Sequence, residues 1–523
     1  EIETINKVWP DSISSYPIRI AKVSSYKNFD KFPAAVYARS VLAPDLDIYR
    51  TFFSDALHDI NVAHGIMLAK QGLLSASECA DILAALDEIH RTKPWANVPF
   101  DGSFEDLFFL VEQELGTIVG AEVAGKLHTG RSRNDIEHTM FRMELRLRLL
   151  NMLDEFSALA EKLIRRAEKG KDEVVLLYTH GQPAQPSVLG HYLGAAIEFV
   201  LRDMRRILSA LGDIDLCPMG AAAITTSGFP LDRAEIARLL GFSDIVENSY
   251  GAIAGVDHIT SCYSSIRLGC LHLGRLVQDL VTWTGFEVRQ IDVPDGFVQI
   301  SSIMPQKRNP VPLEHLRLKL SLAAGGAEQI VQTMHNTPFA DMNDSERETQ
   351  AAGFAVFDRL SHALPLLGDF ITAMEINRES VQRRIQLSMA TITELADTLV
   401  REEGISFRAA HGVAHALSKS SLAQGVPLDQ VDYQDFANAF ETAIGKLPTL
   451  SKDKLKQATS AAYFIEIRDL PGGPGAKPMA ASLAGYSVTL QTLQNEIERL
   501  RLQIDRANVD RTEQARKLAG GKE

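Results

Sequence analysis

DIEHTMFRMELRLRLLNMLDEFSALAEKLIRRAEK, residues 135–169, runs without a single Pro or Gly. Within it Ile136, Met140, Met143, Leu147, Leu150, Phe156, Leu159, Leu163 and Ile164 recur at helical spacing. Apart from a phase shift near Leu153 they share mainly one face, which predicts one long amphipathic helix. Working outward, similar signals run over 186–211, 257–285, 310–336 and 350–374. Five helices of that length, each with a wide apolar stripe, predict an extended bundle rather than a compact α/β domain. There is no regular strand–helix alternation and no internal repeat. The fold class expected is therefore all-α.

Domain organisation follows from breakers and from length. At 523 residues, and roughly 150 residues per domain, about three domains are expected. PWANVPFDG (94–102) reads as a loop closing a short-helix region, and PGGPGAKP (471–478) is a clear breaker. The expected division is 1–130 for an N-terminal helical domain, 131–380 for the central bundle, and 381–523 for a C-terminal helical domain with a tail helix. In that tail Leu490, Leu493, Ile497, Leu500 and Ile504 alternate spacings of three and four. The seam is short for a coiled coil, so a helix docked on its own protein is expected.

Composition excludes several functions. With 45% hydrophobic and 23% charged residues the chain has the means to bury a large core. The formal net charge is −13, and without a basic block nucleic acid is not the expected partner. No run of about 18 apolar residues predicts a membrane span. Residues 1–19 lack the apolar core of a secretory leader, so the expected compartment is the cytoplasm. Cys79, Cys217, Cys262 and Cys270 are too few and scattered for a disulfide framework or a zinc site. No P-loop, GxGxxG, HExxH or GxSxG is present. A site for small anions needs only a few local cations, and these remain possible.

Three polar segments interrupt or cap the long helices. HTGRSRND (128–135) gathers Arg131, Arg133, Thr129, Ser132 and Asn134 at a helix start, a set suited to a carboxylate. The alternative is a capped helix whose arginines make surface pairs. YTHGQPAQP (178–186) places Thr179 beside His180 just before a helix starting near Pro186. That pair is a candidate general acid/base or ligand-positioning element, although a lone His is more often structural. QISSIMPQKRNPVPLE (299–314) reads as a polar, mobile loop. Lys307 by charge and Asn309 by donated hydrogen bonds suit a carboxylate, and a serine near that cation is a candidate alkoxide.

In this order, these segments resemble the fumarase/aspartase superfamily, most closely its argininosuccinate lyase branch. Residues 301–310 match the loop pattern S-S-x-M-P-x-K-x-N-P, and TTSGFPLDR (225–233), LLGF (239–242) and Glu247-Asn248-Ser249 are further likenesses. The resemblance extends from about Ala35 to the end of the bundle. It implies a homotetramer around a 20-helix core, with composite sites to which three subunits contribute one segment each. It also implies β-elimination of an amine from an N-substituted aspartate, releasing fumarate, without a metal or organic cofactor. Carried over residue by residue, Ser301 is the base, Lys307 stabilises the aci-carboxylate, and Thr179 and His180 bind the succinyl group or help protonate the leaving amine. Glu314 matches the carboxylate partner of the histidine. Ser132, Arg133, Asn134, Asn309, Ser40 and Gln185 fall among substrate-binding positions.

The chain departs from the branch in four places. Ile300 stands where the family has Gly before the serines, and Pro310-Val311-Pro312 where argininosuccinate lyases read NPD. Their Glu-Asp-Ile-His is here Glu105-Asp106-Leu107-Phe108. Their TYNKDLQEDKE is here ADMNDSERETQ (340–350), which puts Asp341, Glu346 and Thr349 at the Tyr, Gln and Lys that contact substrate. Asp341 and Glu346 favour instead a cationic or amino-bearing leaving group, a departure that tells against argininosuccinate; argininosuccinate and an aminopolycarboxylate such as ethylenediamine-disuccinate are the candidate substrates. Two alternatives stand beside this reading: an adenylosuccinate lyase-like or cycloisomerase chemistry, and a catalytically silent, crystallin-like protein.

Overall fold

A computed structural model describes residues 31–520. The reading of 1–19 lies outside the described residues. Helices α1 (Ser54–Lys70), α2 (Ala76–Thr92) and α3 (Leu107–Val119) form the N-terminal region. The long helices are α4 (Arg133–Lys169), α5 (Leu189–Ile214), α6 (Asp257–Thr284), α7 (Val311–Thr333) and α8 (Arg347–Ala373). Packing runs α4 on α5, α5 on α6, α6 on α7, α7 on α8, and α8 back onto α4, so the five close into one bundle. Among the described residues no helix is long and apolar enough to cross a membrane.

The long helix begins two residues earlier than 135 because Ser132 caps it. Ser132 Oγ accepts the Asn134 N–H (3.3 Å), and Asp135 reaches back to the Ser132 N–H (2.9 Å). Ile136, Met140, Leu150, Phe156, Leu159 and Leu163 are buried as the spacing predicts, while Leu147 is exposed. The phase differs because Phe141, Leu145, Leu149 and Leu153 carry the stripe through the middle. Where α6 meets α8, Tyr263 lies so close that a Cβ on Gly353 would stand 2.0 Å from its hydroxyl. Only glycine permits that helix approach.

The segment before α5 is not helical from Pro186. It is a β-hairpin, β1 (Val174–Thr179) paired antiparallel with β2 (Gln182–Val188), and α5 starts only at Leu189. His180 (φ 53°) and Gly181 (φ 73°) form the two-residue turn, the positive-φ geometry that matches the twist of paired strands. The run Val-Val-Leu-Leu before the turn supplies the strand propensity.

Helices α9 (Ile392–Glu403), α10 (Phe407–Gln424), α11 (Tyr433–Ile444) and α12 (Lys452–Ala458) enclose a separate core around Leu399, Leu417, Phe436 and Phe440. The tail helix α13 (Ala476–Leu518) does not join that core. Leu490, Leu493, Ile497 and Leu500 bury themselves in the core of the bundle, and α13 lies along α4, α5 and α1. Buried Arg511 fastens its far end, donating to Leu239 O (2.8 Å) and pairing with Asp59 (2.6 Å).

Candidate active site

The segment 128–135 is a tight turn running into the first turn of α4. Gly130 (φ 74°) is required there twice over, by its left-handed backbone and by Leu231, which a Cβ would meet at 2.9 Å. The turn is fixed from below by Asp135, whose second oxygen accepts the N–H groups of Gly220 and Ala222, each at 2.9 Å. Burial pushes the Asp135 carboxyl up to about 6, against the backbone donors of Ser132, Ala222 and Gly220, which favour its charged form.

Both arginines of this segment are committed within the chain. Arg131 is buried and donates to Asn61 Oδ1 (2.6 Å). Arg133 donates to Asp106 (2.9 Å), pairs with Glu105 (3.2 Å) and stacks over the Phe109 ring. Thus the helix is capped and Arg133 makes carboxylate pairs, while Arg131 is buried on an amide rather than paired at the surface, and Ser132 donates to Asn134 Oδ1 (3.0 Å). Phe108, where the branch has a histidine, is buried with its ring against those of His128 and Phe109.

Beside Arg133 and Asn134 opens a cleft of about 350 Å³. It brings them together with Asp341 and Glu346, predicted from sequence, and with Glu137, His138 and Arg347, which sequence reading missed. His138 Nε2 lies 3.1 Å from Asp341 Oδ1. Arg347 is buried over the Tyr49 ring and donates to Asp45 (2.7 Å) and Glu137 (2.5 Å). Burial is the main force on Glu137 and pushes its carboxyl up to about 8, with Arg347 acting the other way. Burial likewise raises the Glu346 carboxyl. One signal for the missed residues was available: Glu137, His138 and Arg142 interrupt the first turns of the apolar helix, where surface charges do not belong. Ser40 is exposed in the helical stretch beside the cleft, whose lining takes its neighbours Tyr37 and Val41 instead.

The other two segments stand at the surface. Thr179 and His180 are exposed at the hairpin tip, as is Gln185 on β2. The loop 301–307 is closed at its base by the pairing of Gln299 with Asn309 and Ile300 with Arg308. Arg308 anchors it further through Asp295 (2.6 Å) and Val293 O (2.7 Å). Inside the loop Ser301 Oγ accepts the N–H of Met304 (3.0 Å) and of Ile303 (3.4 Å). Lys307 is exposed, Asn309 half-buried, and Glu314 exposed in the first turn of α7. Among the described residues no side-chain hydrogen bond or ion pair joins His180 to Glu314, or either surface segment to residues 128–135. No group of three or more His, Cys, Asp or Glu side chains there is arranged to hold a metal ion.

Comparison with known proteins fits this geometry. The Lyase family matches residues 55–325, and the argininosuccinate lyase C-terminal family matches residues 389–466. Argininosuccinate lyase 2 of Agrobacterium fabrum is 46% identical over 469 residues, covering 90% of this chain and 93% of the relative. Argininosuccinate lyase of Methanosarcina acetivorans is 32% identical, covering 86% and 90%. Among solved structures, EDDS lyase in complex with formate superposes with a TM-score of 0.82 at 27% identity, covering 93% of this chain and 99% of that one. The agreement runs through the bundle and on into the C-terminal helices, and it places the chain in the fumarase/aspartase superfamily, as a member of the argininosuccinate lyase branch.

Proposed function

We propose that the protein is a carbon–nitrogen lyase that eliminates an amine from an N-substituted aspartate, releases fumarate, and runs the addition in reverse. The observation that carries the catalytic assignment is the loop 301–307. Two backbone N–H groups point at Ser301 Oγ, at 3.0 and 3.4 Å, and donors so placed favour an alkoxide over a neutral hydroxyl. Ser301 takes the proton from the carbon next to the distal carboxylate. The electron pair moves into that carboxylate, giving a doubly charged aci-carboxylate. Lys307 and Asn309, held on the returning limb of the same loop, meet that charge. The pair then returns to form the carbon–carbon double bond as the C–N bond breaks, and the departing nitrogen takes a proton from the Thr179–His180 side. The substrate's carboxylate is the electron sink, so the steps use no cofactor.

Ser132, Asn134, Arg133 and Gln185 are assigned to orienting the succinyl group, and Glu314 to partnering His180 across an interface. This reading needs more than one copy of the chain, since the three segments do not join within one. Exposed Leu268 and Leu271 on α6, with Leu318 and Leu322 on α7, give the five-helix bundle an apolar outer face. Burying such faces in a homotetramer would assemble 20 helices and supply the missing segments. The test is fumarate release, followed by ultraviolet absorbance, from aspartates N-substituted with different amines. Release by the native enzyme and its loss in Ser301→Ala are expected; normal turnover by that variant overturns the base assignment.

A further inference from the structure

A helix that the elimination chemistry leaves unused, Arg378–Ser388, runs between the bundle and the C-terminal core. Its apolar side is occupied, since Val381 and Ile385 are buried in one cluster with Leu176 and Tyr178 of β1. Its polar side carries Glu379, Arg383 and Arg384. With Phe286, Glu287 and Arg289 from the turn after α6, these line a cavity of about 490 Å³, a size suited to a small organic ligand. The walls are tied to each other by the chain's own bonds. Ile291 pairs with Ile376, Asn377 Nδ2 donates to Asp292 Oδ2 (2.9 Å), and Ser380 Oγ donates to Val288 O (3.3 Å).

The charges in this lining are left uncombined. Arg289 approaches Asp292 at 3.4 Å, but Arg383 and Arg384 have no carboxylate within ion-pair distance among the described residues. Glu379 stands four residues before Arg383, the spacing at which helical ion pairs form, and the pair is not made. A feature of a different kind lies at Arg384, which is half-buried: its Nε is buried and has no hydrogen-bond partner. The Tyr178 hydroxyl, for which Arg384 is the neighbouring cation, is buried and unpartnered as well. Both groups are donors. Buried polar atoms are nearly always satisfied, so this corner of the fold is short of an acceptor. Beside the arginines the lining is apolar and open to water, with Phe286 84% and Leu387 54% exposed.

We propose that the cavity binds a small monocarboxylate on an apolar body, its carboxylate received by Arg383 and Arg384 and its body lying over Phe286 and Leu387. Guanidinium groups offer carboxylate oxygens the forked donors that fit them best. The apolar body covers two side chains that the fold leaves in water. Glu287 and Glu379 stand in the same wall, so a second carboxylate on the ligand meets repulsion. Fumarate, a dianion without such a body, is thereby disfavoured, which separates this cavity from the site assigned to the elimination.

The test is calorimetric titration of the full-length protein with benzoate, acetate, phenyl phosphate and fumarate at one ionic strength. Benzoate is expected to bind at least about tenfold more tightly than acetate, through its ring, and more tightly than phenyl phosphate. In Arg383→Gln/Arg384→Gln the benzoate affinity falls at least about tenfold. In Phe286→Ser it falls toward that of acetate, whose own binding is unchanged. Any fumarate binding is insensitive to both variants. No benzoate binding to the native protein, or binding that survives in the arginine variant at an unchanged melting temperature, overturns the site. Tighter binding of phenyl phosphate or fumarate through the same arginines overturns the choice of a monocarboxylate. None of the varied residues belongs to the segments assigned to the elimination, so the lyase reading is untouched by these outcomes.

Discussion

The cleft at the start of α4 and the loop 301–307 are two halves of one proposed site, built on opposite plans. In the cleft the arginines are engaged within the chain: Arg133 pairs with Asp106 and Glu105, and Arg347 with Asp45 and Glu137, in half-buried surroundings. In the loop the internal bonds are backbone donors to Ser301 and one from the Lys307 N–H to Met304 O (3.0 Å), and the Lys307 side chain stands free of any carboxylate among the described residues. The difference separates recognition from chemistry. Charges that compensate one another hold the cleft in shape, whereas Lys307 is left uncompensated on an exposed loop, where the proposed mechanism would have it meet the charge of the intermediate. Under the proposed mechanism the loop and the tip at Thr179–His180 would meet the cleft only in another copy of the chain.

That contrast breaks most sharply on substitution. In the loop, Ser301→Ala should lower kcat by about 10²–10⁴-fold with the melting temperature unchanged, because Ser301 anchors only a surface turn. Stopped turnover accompanied by a fall in stability would show that the loop is structural. In the cleft, Arg347→Met should do the reverse and cost about 1–3 kcal/mol in denaturant unfolding, because it leaves buried Glu137 and half-buried Asp45 without their shared donor. A stability loss below about 1 kcal/mol would mean the pair is solvated like an ordinary surface bridge. Next, two inactive variants, Ser301→Ala and His180→Ala, should regain part of the native rate when unfolded and refolded together. Complete inactivity of the mixture would place both residues in a site made by one chain.

The smallest effect is electrostatic and belongs to the cleft alone. Glu137 holds its proton up to about 8 in the folded protein, well above the ordinary value of a glutamic acid. A raised folded value means that its contribution to stability is complete below the unfolded value, about 4.3, and is lost as pH rises through about 8. The melting temperature should therefore fall between these limits, and Glu137→Gln should flatten the upper part of that fall. An identical profile in the variant would move the cause elsewhere.

Much of the architecture was legible because it rests on long periodic signals. All five bundle helices announce themselves by apolar spacing, and the tail seam at Leu490–Leu500 docks as its short heptad run predicts. The hairpin at 174–188 was not, because its strands are short and its turn depends on His180 adopting positive φ, which no local residue type demands. Leu147 misled for a different reason: Phe141, Leu145, Leu149 and Leu153 carry the buried face through the middle of α4, and a single stripe does not describe it. Of the proposed site, Ser301, Lys307 and Asn309 stand out in the sequence by motif. Arg347 was invisible, since its two carboxylates lie far away in sequence at Asp45 and Glu137 and only the fold brings them together.

Deuterium incorporation tests the central claim most directly. Native enzyme and fumarate are combined in deuterated water with each of a panel of amines, diamines and amino acids, and any adduct is analysed by mass after exchangeable positions are washed back to protium. The account predicts an N-substituted aspartate carrying one carbon-bound deuterium next to the distal carboxylate, and none formed by Ser301→Ala. An adduct without carbon-bound deuterium, or no adduct with any amine, would contradict it.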